Sequence, residues 1–311
     1  MTRILFQRAP EGFRTVRGGL IKDLQIRLAA AGSSPGMLDG IYGRDTEQAI
    51  RAWEAGQGRS PTGKVTDDAW LELFGAPPPI FDRCLQLTAA FEGHGYELVA
   101  GNFDDAWITW GIIGFTLKHG ELGRMLKQIR VSHSALFSDA FGGLEAELVS
   151  VLDGSDARKR DWANSISIGQ NRQRVREDWS AAFRRLGSRR EVQEIQRHFA
   201  HGYWDIALND AKRFGLKTEM GLALAFDVAV QNGGADAGDV ARIRAKLQNN
   251  PPQTEQDLRI IVANGIAEGS KPQWITDVRR RKLAIATGSG TVHKARYAVK
   301  TWGLDEFNAG I

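Results

Sequence analysis

The chain has 311 residues, of which 42% are hydrophobic and 25% charged, which is typical of a soluble globular protein with one large or two ordinary domains. No apolar run approaches the roughly 20 residues that span a bilayer, so we expect no membrane span. The lone cysteine, Cys84, excludes an intramolecular disulfide and is interpreted as a core residue. The net charge of +4 favours an anionic partner, but the basic residues are scattered, so we expect no nucleic-acid ligand.

A proline-rich stretch divides the sequence. Three consecutive prolines in FGAPPPIFD, 74–82, cannot continue a helix and favour an extended spacer. We therefore predict an N-terminal domain over residues 1–75, a linker over 76–82 and a larger domain over 83–311. Both domains are expected to be mainly α.

The spacing of apolar residues predicts three helices before the prolines, with the core of this domain over 18–75. Leu24 and Leu28 mark the first helix, Asp45 can cap the second, and Thr66 can cap the third. Such a core is too small for much chemistry, and the segment contains no histidine or cysteine.

A glycine-containing motif follows the first of these helices. It reads Asp39-Gly40-Ile41-Tyr42-Gly43, and Trp53-Glu54 stands in the next helix. With these residues the segment resembles the peptidoglycan-binding domain of many cell-wall hydrolases, which usually has Phe-Gln in place of Trp53-Glu54. The resemblance implies attachment to the bacterial wall, with Asp39, Tyr42 and Trp53 as wall-binding residues. A generic three-helix bundle is the alternative.

The larger segment begins with an apolar-faced helix over 83–92 that ends at Glu92, where Gly93 interrupts it. A helix C-terminus disfavours a charged carboxylate, and a carboxyl group that keeps its proton suits general-acid catalysis. A solvated glutamate at a fraying helix end is the alternative interpretation.

The stretch DDAWITWGIIGF, 104–115, predicts a short hairpin or bent strand. Asp104 would then lie in a turn facing Glu92, and the Thr109 hydroxyl would share a water molecule with Asp104. One protonated and one ionised carboxyl group are what glycosidic bond cleavage requires. Trp107 or Trp110 can offer a flat face to a sugar ring, and core packing is the alternative for both.

Several blocks of the larger segment match one enzyme family. They are Phe91-Glu92, Asp104, Thr109, the run 111–115, a second block within 203–230 and a weaker third block at 277–280. The segment resembles the chitosanases of glycoside hydrolase family 46, within the lysozyme-like superfamily. The resemblance implies a two-lobed α+β catalytic domain and an inverting mechanism. It also implies that Glu92 is the general acid, Asp104 the general base and Thr109 the residue that positions water.

Asp227 lies in an otherwise apolar helical run, LALAFDVAVQN, 222–232. A buried carboxylate is costly without a cationic partner, so we expect an ion pair with Arg279 or Arg280 that supports the site without taking part in the reaction. Exposure of Asp227 to solvent is the alternative. Tyr96 and Asn232 are further expected substrate contacts.

The histidines show no metal-ligand spacing such as H-E-x-x-H, and the phosphate-binding and nucleophile motifs G-x-G-x-x-G and G-x-S-x-G are missing from the sequence. We therefore predict an enzyme without a metal or other cofactor.

Two features favour peptidoglycan over chitosan as the substrate. This chain has Asp104-Asp105-Ala106-Trp107 where the chitosanases typically have Asp-Gly-Arg-Gly. A basic protein also repels the polycation chitosan, whereas peptidoglycan carries carboxylates. We predict a monomeric peptidoglycan hydrolase of the muramidase type that cleaves a β-1,4 glycosidic bond. A chitosanase is the first alternative, and a non-catalytic wall-binding or virion structural protein is the second.

The N-terminal sequence MTRILFQRAPEGF has no apolar core followed by a cleavage site, so no conventional export signal is expected. We expect synthesis in the cytoplasm and action at the periplasm or cell wall, as in a phage endolysin released by a holin or an effector delivered on contact.

Overall fold

The computed structural model describes residues 3–93 and 95–310 and divides the chain into two compact units. The first unit contains the residues up to Phe91 together with those from Tyr203 onwards, and the second contains Glu92–Gly202. Helices dominate both units, which confirms the predicted mainly α fold. No helix within the described ranges is long and apolar enough to cross a bilayer.

The N-terminal part contains the three predicted helices and a fourth that follows the prolines. Its elements are β1 Ile4–Phe6, α1 Gly19–Ala30, α2 Arg44–Gly56, β2 Val65–Thr66, α3 Asp67–Phe74 and α4 Ile80–Glu92, with β1 antiparallel to β2. Thr66 caps α3 as predicted, since its hydroxyl accepts a hydrogen bond from Ala69 N at 3.1 Å. Asp45 is not a cap, because Gly43 precedes α2 and Asp45 lies in its first turn.

The helix α4 begins at Ile80, before the predicted start at residue 83. The prolines immediately precede it, where a missing backbone N–H costs nothing because the first amides of a helix have no intrahelical acceptor. The predicted linker, 76–82, thus contains the first turn of this helix and lies inside the first compact unit. The division into domains at this linker stays a prediction.

The second unit contains a small antiparallel sheet, a two-stranded pair and several helices. Its elements are β3 Val99–Ala100, β4 Thr109–Trp110, β5 Phe115–Thr116, α5 Glu121–Ser132, α6 Ser134–Phe141, α7 Glu145–Leu152, α8 Asp156–Ile166, β6 Ser167–Ile168, β7 Arg174–Val175 and α9 Glu177–Gly187. Phe141, Trp179 and Phe183 are fully or almost fully buried between the helices and form its aromatic core.

The predicted hairpin is present as β4 and β5, joined by a turn at 111–114. Gly111 has a φ of 92°, and a Cβ there would lie 2.4 Å from Gln196 Oε1. The same Gln196 oxygen accepts a hydrogen bond from Ile112 N at 2.9 Å. Glycine is therefore required by both the backbone conformation and the close approach of Gln196.

The helix α10, Arg190–Phe214, contributes its residues up to Gly202 to the second unit and the others to the first. The remaining elements are α11 Glu219–Asn232, α12 Ala237–Asn249, α13 Glu255–Gly269, α14 Ile275–Ala286, β8 Ser289–Val292 and β9 Ala295–Ala298, the last two forming a hairpin. Most of α11 is buried, including the apolar run 222–226.

Within the first unit, the N-terminal strand is held against residues from the C-terminal part. The carboxylate of Glu219, which is buried, forms ion pairs with Arg3 and Arg83. Both arginines also donate hydrogen bonds to the carbonyl of Gly303. These contacts tie β1 and α4 to the start of α11.

Candidate active site

Glu92 is the last residue of α4, as predicted. Leu87 and Phe91 are buried on the preceding turns, and Gly93 follows with a φ of 68°. Glu92 itself is partly exposed. Its role as a general acid stays a prediction.

The loop that carries Asp104 is fixed by Asn102. Asn102 Oδ1 accepts a hydrogen bond from Trp107 N at 3.0 Å, and Asn102 Nδ2 donates one to Asn164 Oδ1 at 2.8 Å. Asp105 and Trp107 have positive φ values of 65° and 67°. Such conformations cost free energy in non-glycine residues and cluster at functional sites. The loop is therefore held in an unfavourable backbone conformation by its surroundings.

Asp104 and its neighbour Asp105 differ in their electrostatic surroundings. Asp104 is exposed, and its Oδ1 accepts a hydrogen bond from Ala106 N at 3.2 Å. Within the part of the chain that the structure describes, no cation lies at ion-pair distance from Asp104. Asp105 instead pairs with Lys118, whose hydrogen bond and charge lower the pKa of the Asp105 carboxyl. Asp104 is thus the carboxylate of this loop that is available to a ligand or a water molecule.

Thr109 lies in β4, the central strand of the sheet β3-β4-β5. Its cross-strand neighbours are Ala100 and Thr116, and directly opposite residues point to the same face of a sheet. Thr109 keeps 8% of its surface exposed, and the Thr116 hydroxyl lies 2.8 Å from His119 Nδ1. The other face carries Trp110, which packs against the core. The Thr109 side chain therefore points away from the aromatic core.

Two tryptophans that were predicted to contact a sugar belong to the core instead. Trp110 is fully buried, and its ring centroid lies 5.5 Å from that of Phe183. Trp107 is only 7% exposed. Alternation along β4 turns Trp110 inward, and Trp107, which precedes the strand, is also buried. Neither ring offers an open face to solvent, and the prediction for these two residues is wrong. Tyr96 is partly exposed, and its role in substrate binding stays a prediction.

Asp227 is buried and paired, but not with the predicted arginine. Arg281 Nη2 lies 2.7 Å and Lys282 Nζ 2.6 Å from its carboxylate oxygens, and both cations are buried. Burial alone would raise the pKa of Asp227, but the charges of Arg281 and Lys282 outweigh it and hold the pKa below its usual value. Arg279 faces outward on α14 and lies 3.6 Å from Glu268. The predicted supporting role of Arg279 is therefore wrong, because the helix turns residues 281 and 282 inward.

A cavity of about 390 Å³ in the first unit adjoins Asn232, at the C-terminus of α11. Its other lining residues are Gln231, Ser270, Lys271, Trp274, Asp277 and Val278. Trp274 is 56% exposed and so presents an aromatic face beside amide, hydroxyl and charged groups. This combination suits a sugar ring, which stacks on an aromatic face and hydrogen-bonds through its hydroxyl groups. Trp274 was not predicted as a site residue. The only indication in the sequence is that this large aromatic residue stands at the polar start of a helix.

The residues predicted to bind the wall divide into exposed and buried ones. Asp39 is exposed, and its Oδ1 accepts hydrogen bonds from Gln25 Nε2 at 3.0 Å and Ile41 N at 2.9 Å. Tyr42 is fully buried and donates to Gly63 O at 3.1 Å, and burial raises the pKa of its hydroxyl. Trp53 is only 4% exposed. Tyr42 and Trp53 therefore stabilise the segment from inside, and the prediction that they contact the wall is wrong.

The residues that depart from the usual peptidoglycan-binding pattern also have a structural role. Glu54 is buried and accepts hydrogen bonds from Thr62 Oγ1 at 2.6 Å and from Gly63 N at 2.8 Å. Glu54 thus fixes the turn that leads to β2.

Met37 and Leu38, next to Asp39, are 76% and 43% exposed. They are apolar surface residues that the resemblance had not singled out.

No group of three or more His, Cys, Asp or Glu residues that could hold a metal ion is found within residues 3–93 and 95–310, which leave out His94. Cys84 is buried, and burial raises the pKa of its thiol. This disfavours the thiolate, which is the form that binds a metal or acts as a nucleophile.

Comparison with known proteins gives two similarities. Among solved structures, the glycoside hydrolase family 46 chitosanase of Gynuella sunshinyii in complex with chitotetraose is similar to this chain, with a TM-score of 0.43 and 14% sequence identity over 68% of this chain and 88% of that chain. No curated protein gives a significant match to the chain. Residues 17–73 match the family described as "Putative peptidoglycan binding domain", which confirms the resemblance predicted for the N-terminal segment.

Proposed function

We propose that this protein is a peptidoglycan hydrolase that cleaves the β-1,4 bond from N-acetylmuramic acid to N-acetylglucosamine. Glu92 protonates the leaving oxygen, Asp104 deprotonates the attacking water, and Thr109 positions that water. The observation that carries the proposal is the exposed Asp104 carboxylate, which has no cationic partner in its strained loop and lies in the same compact unit as Glu92 and Thr109.

The two carboxyl groups assigned to these roles differ in their local surroundings. Asp104 lies in a loop open to solvent, where a water molecule can reach it. Glu92 lies at the C-terminus of α4, at the position for which the sequence resemblance implies the general acid. A single displacement by water inverts the anomeric carbon and needs no covalent intermediate.

The N-terminal segment supports the bacterial wall as the site of action. Residues 17–73 match a peptidoglycan-binding family, and a module that binds the polymer raises the local concentration of the catalytic residues on it. The cavity beside Asn232 and Trp274 adds a surface on which a saccharide unit of the same polymer is bound. The net charge of +4 further favours an anionic glycan over the polycation chitosan.

The test is a digestion of purified bacterial walls and of chitosan, side by side, by the full chain. Mass spectra of the products identify the bond that is broken, and proton NMR during the reaction gives the anomer formed first. We expect disaccharide-peptide fragments from walls, with an inverted anomer, and little product from chitosan. Chitosan oligomers without wall fragments would favour a chitosanase, and wall binding without any product would favour a non-catalytic wall protein.

A further inference from the structure

Three arginines meet in the first unit where the N-terminal segment contacts the C-terminal hairpin. Arg14 N donates a hydrogen bond to Arg296 O at 2.6 Å, and the Arg296 guanidinium lies 4.2 Å from the centroid of the Phe13 ring. Arg17 forms an isolated bridge with Ile41. Arg14 is thus adjacent to Arg296 through the backbone, and it lies close enough to Arg17 for its charge to act on that residue.

The positive charges of these arginines are not neutralised by the surrounding protein. Among the described residues, no carboxylate lies at ion-pair distance from Arg14, Arg17 or Arg296. Arg14 Nε is buried and has no hydrogen-bond partner in the described part of the chain. Burial and the nearby charge of Arg14 lower the pKa of Arg17, while Asp39 acts in the opposite direction. Among the described residues the cluster is therefore positively charged, and the buried Arg14 Nε lacks a hydrogen-bond acceptor.

The nearby carboxylate of Asp39 does not meet this need. Its Oδ1 is already bound to Gln25 Nε2 and Ile41 N, which holds Asp39 in its own loop. The buried Tyr297 lies close enough to Arg14 and Arg17 for their charges to act on its hydroxyl, but that hydroxyl donates to Ala90 O at 2.9 Å. The Tyr297 hydroxyl is therefore already engaged, and within the described ranges Asp39 does not come within ion-pair distance of Arg14, Arg17 or Arg296.

A carboxylate from outside the chain would satisfy both requirements. The planar guanidinium group binds a carboxylate through two parallel hydrogen bonds, and these charge-assisted bonds are among the strongest in proteins. An anion would also reduce the repulsion between the arginines. The cluster lies next to the motif 39–43, since Tyr42 N donates to Val16 O at 2.9 Å and Arg17 bridges Ile41.

We propose that Arg14, Arg17 and Arg296 form a carboxylate-binding site that takes the free carboxylates of the peptidoglycan stem peptides. This inference rests on the proposed function and assigns a ligand group to residues outside the catalytic set. The site gives the protein a preference for a glycan that carries carboxylates over a neutral or cationic one. Three arginines form a compact site rather than an extended basic tract, so a nucleic acid is the less suitable ligand.

The test compares two double variants of the full chain that lose the same charge. Arg14→Gln with Arg17→Gln removes the site, and Arg44→Gln with Lys64→Gln removes two exposed cations elsewhere in the same segment. Binding to purified walls is measured by sedimentation over a range of wall concentrations. We expect the first variant to bind roughly tenfold or more weakly, since it loses charge-assisted hydrogen bonds, and the control to stay within about twofold of the unmodified chain.

The same measurement on walls whose carboxyl groups have been converted to amides tests the ligand rather than the residues. We expect the unmodified chain to lose roughly as much affinity on amidated walls as the first variant loses on native ones. Equal binding of native and amidated walls by the unmodified chain would overturn the proposal, even if the first variant failed to fold. Equal loss of affinity in both double variants would also overturn it, because removing any two surface cations would then weaken wall binding to the same extent.

A soluble probe separates this proposal from the proposed function. Muramyl dipeptide and its diamide are titrated against the full chain and followed by NMR. Binding of the acid alone, abolished in the first variant, supports the site even if walls are not digested. A chain that digests walls but does not distinguish the acid from the diamide keeps its proposed function and lacks this site.

Discussion

Lys118 Nζ lies 2.5 Å from Asp105 Oδ2, and this contact distinguishes Asp105 from the adjacent Asp104. The ammonium group neutralises Asp105 and leaves Asp104 as the unpaired carboxylate of the loop among the described residues. A general base needs a lone pair that is not already engaged by a cation. The structure therefore gives a physical reason for choosing Asp104 where the sequence offers two consecutive aspartates.

The first prediction compares these two aspartates. Asp104→Asn should lower the rate of wall hydrolysis at least about 100-fold, because general-base catalysis contributes roughly 10²–10⁴-fold. Asp105→Asn should retain most of the activity, since Asp105 is exposed and paired with Lys118. Initial rates of reducing-end release measure both, and circular dichroism checks that both variants fold. An inactive Asp105 variant beside an active Asp104 variant would assign the base to Asp105.

The second prediction concerns Glu92 and Thr109. Glu92→Gln keeps the shape of the side chain but cannot donate a proton to the leaving oxygen, so activity should fall by about 10²–10⁴-fold. Thr109→Ala should have a smaller effect, because it removes a ligand of the water and leaves Asp104 in place. Thr109→Ser, which keeps the hydroxyl, is the matched control and should restore most of the rate. Full activity in Glu92→Gln would exclude Glu92 as the acid.

The local part of this structure could be predicted from the sequence. Apolar spacing and turn residues located α1, α2, α3 and the hairpin at 107–115, since these depend on interactions between near neighbours. The capping role of Thr66 is also local.

Side-chain orientation and long-range contacts were harder to predict. A shift of two residues on α14 separates the partly exposed Arg279 from the buried Arg281, and sequence alone does not fix the rotation of a highly charged helix. Trp110 could face either side of a short strand, and only the packing on Phe183 decides. The pairing of Arg3 with Glu219 spans most of the chain and leaves no pattern in either local sequence.

The third prediction concerns the buried ion cluster around Asp227. Asp227→Asn should lower the free energy of unfolding by about 3–5 kcal/mol, because the buried Arg281 and Lys282 would both lose the charge of the Asp227 carboxylate. Chemical denaturation followed by fluorescence measures this change. Asp205→Asn, at an exposed position on α10, is the control and should be nearly neutral. An unchanged midpoint in Asp227→Asn would contradict the buried pair.

The stability contributed by Asp227 should also depend on pH in one direction. The pKa of Asp227 is lower in the folded protein than its ordinary value, so folding favours the ionised form. Its contribution is fully present above the unfolded pKa of about 3.9 and is lost as the pH falls through the folded pKa. The difference in unfolding free energy between the unmodified chain and Asp227→Asn should stay constant, at about 3–5 kcal/mol, from about pH 5 to pH 8. It should become smaller in acid. A difference that grows in acid would contradict this sign.

The fourth prediction tests the cavity beside Asn232. Trp274→Ala should raise KM on walls several-fold with a smaller effect on kcat, because stacking contributes about equally to the bound substrate and to the transition state. Trp274→Phe keeps an aromatic face and is the matched control. Since Trp274 is 56% exposed, neither change should affect the melting temperature by more than a few degrees. Identical KM values in Trp274→Ala and the unmodified chain would exclude this cavity as a saccharide site.

The fifth prediction asks whether the N-terminal segment is a tethered module or part of the first unit. Glu219 is buried and pairs with both Arg3 and Arg83, and β1 is packed beside the residues around Gly303. Removal of residues 1–75 leaves Glu219 with Arg83 in place of two cationic partners and exposes surface that Leu5 and Phe6 had covered. We therefore expect the truncated chain to melt several degrees below the full chain, as well as to show a higher KM on walls.

The lower melting temperature of the truncated chain would have two causes, the lost Arg3–Glu219 ion pair and the newly exposed apolar surface. Calorimetry of the full chain, the truncated chain and Arg3→Gln separates them. Arg3→Gln removes one cation from the Glu219 cluster and should reproduce part of the decrease in melting temperature without altering wall binding. The fragment 3–75 is the appropriate isolated segment, because Asp67 N donates to Arg3 O at 3.1 Å and Tyr42 N to Val16 O at 2.9 Å. If the truncated chain melts at the temperature of the full chain, the N-terminal segment is an independent module. Its contacts with Glu219 then contribute nothing measurable to stability, and its only effect on hydrolysis is through wall binding.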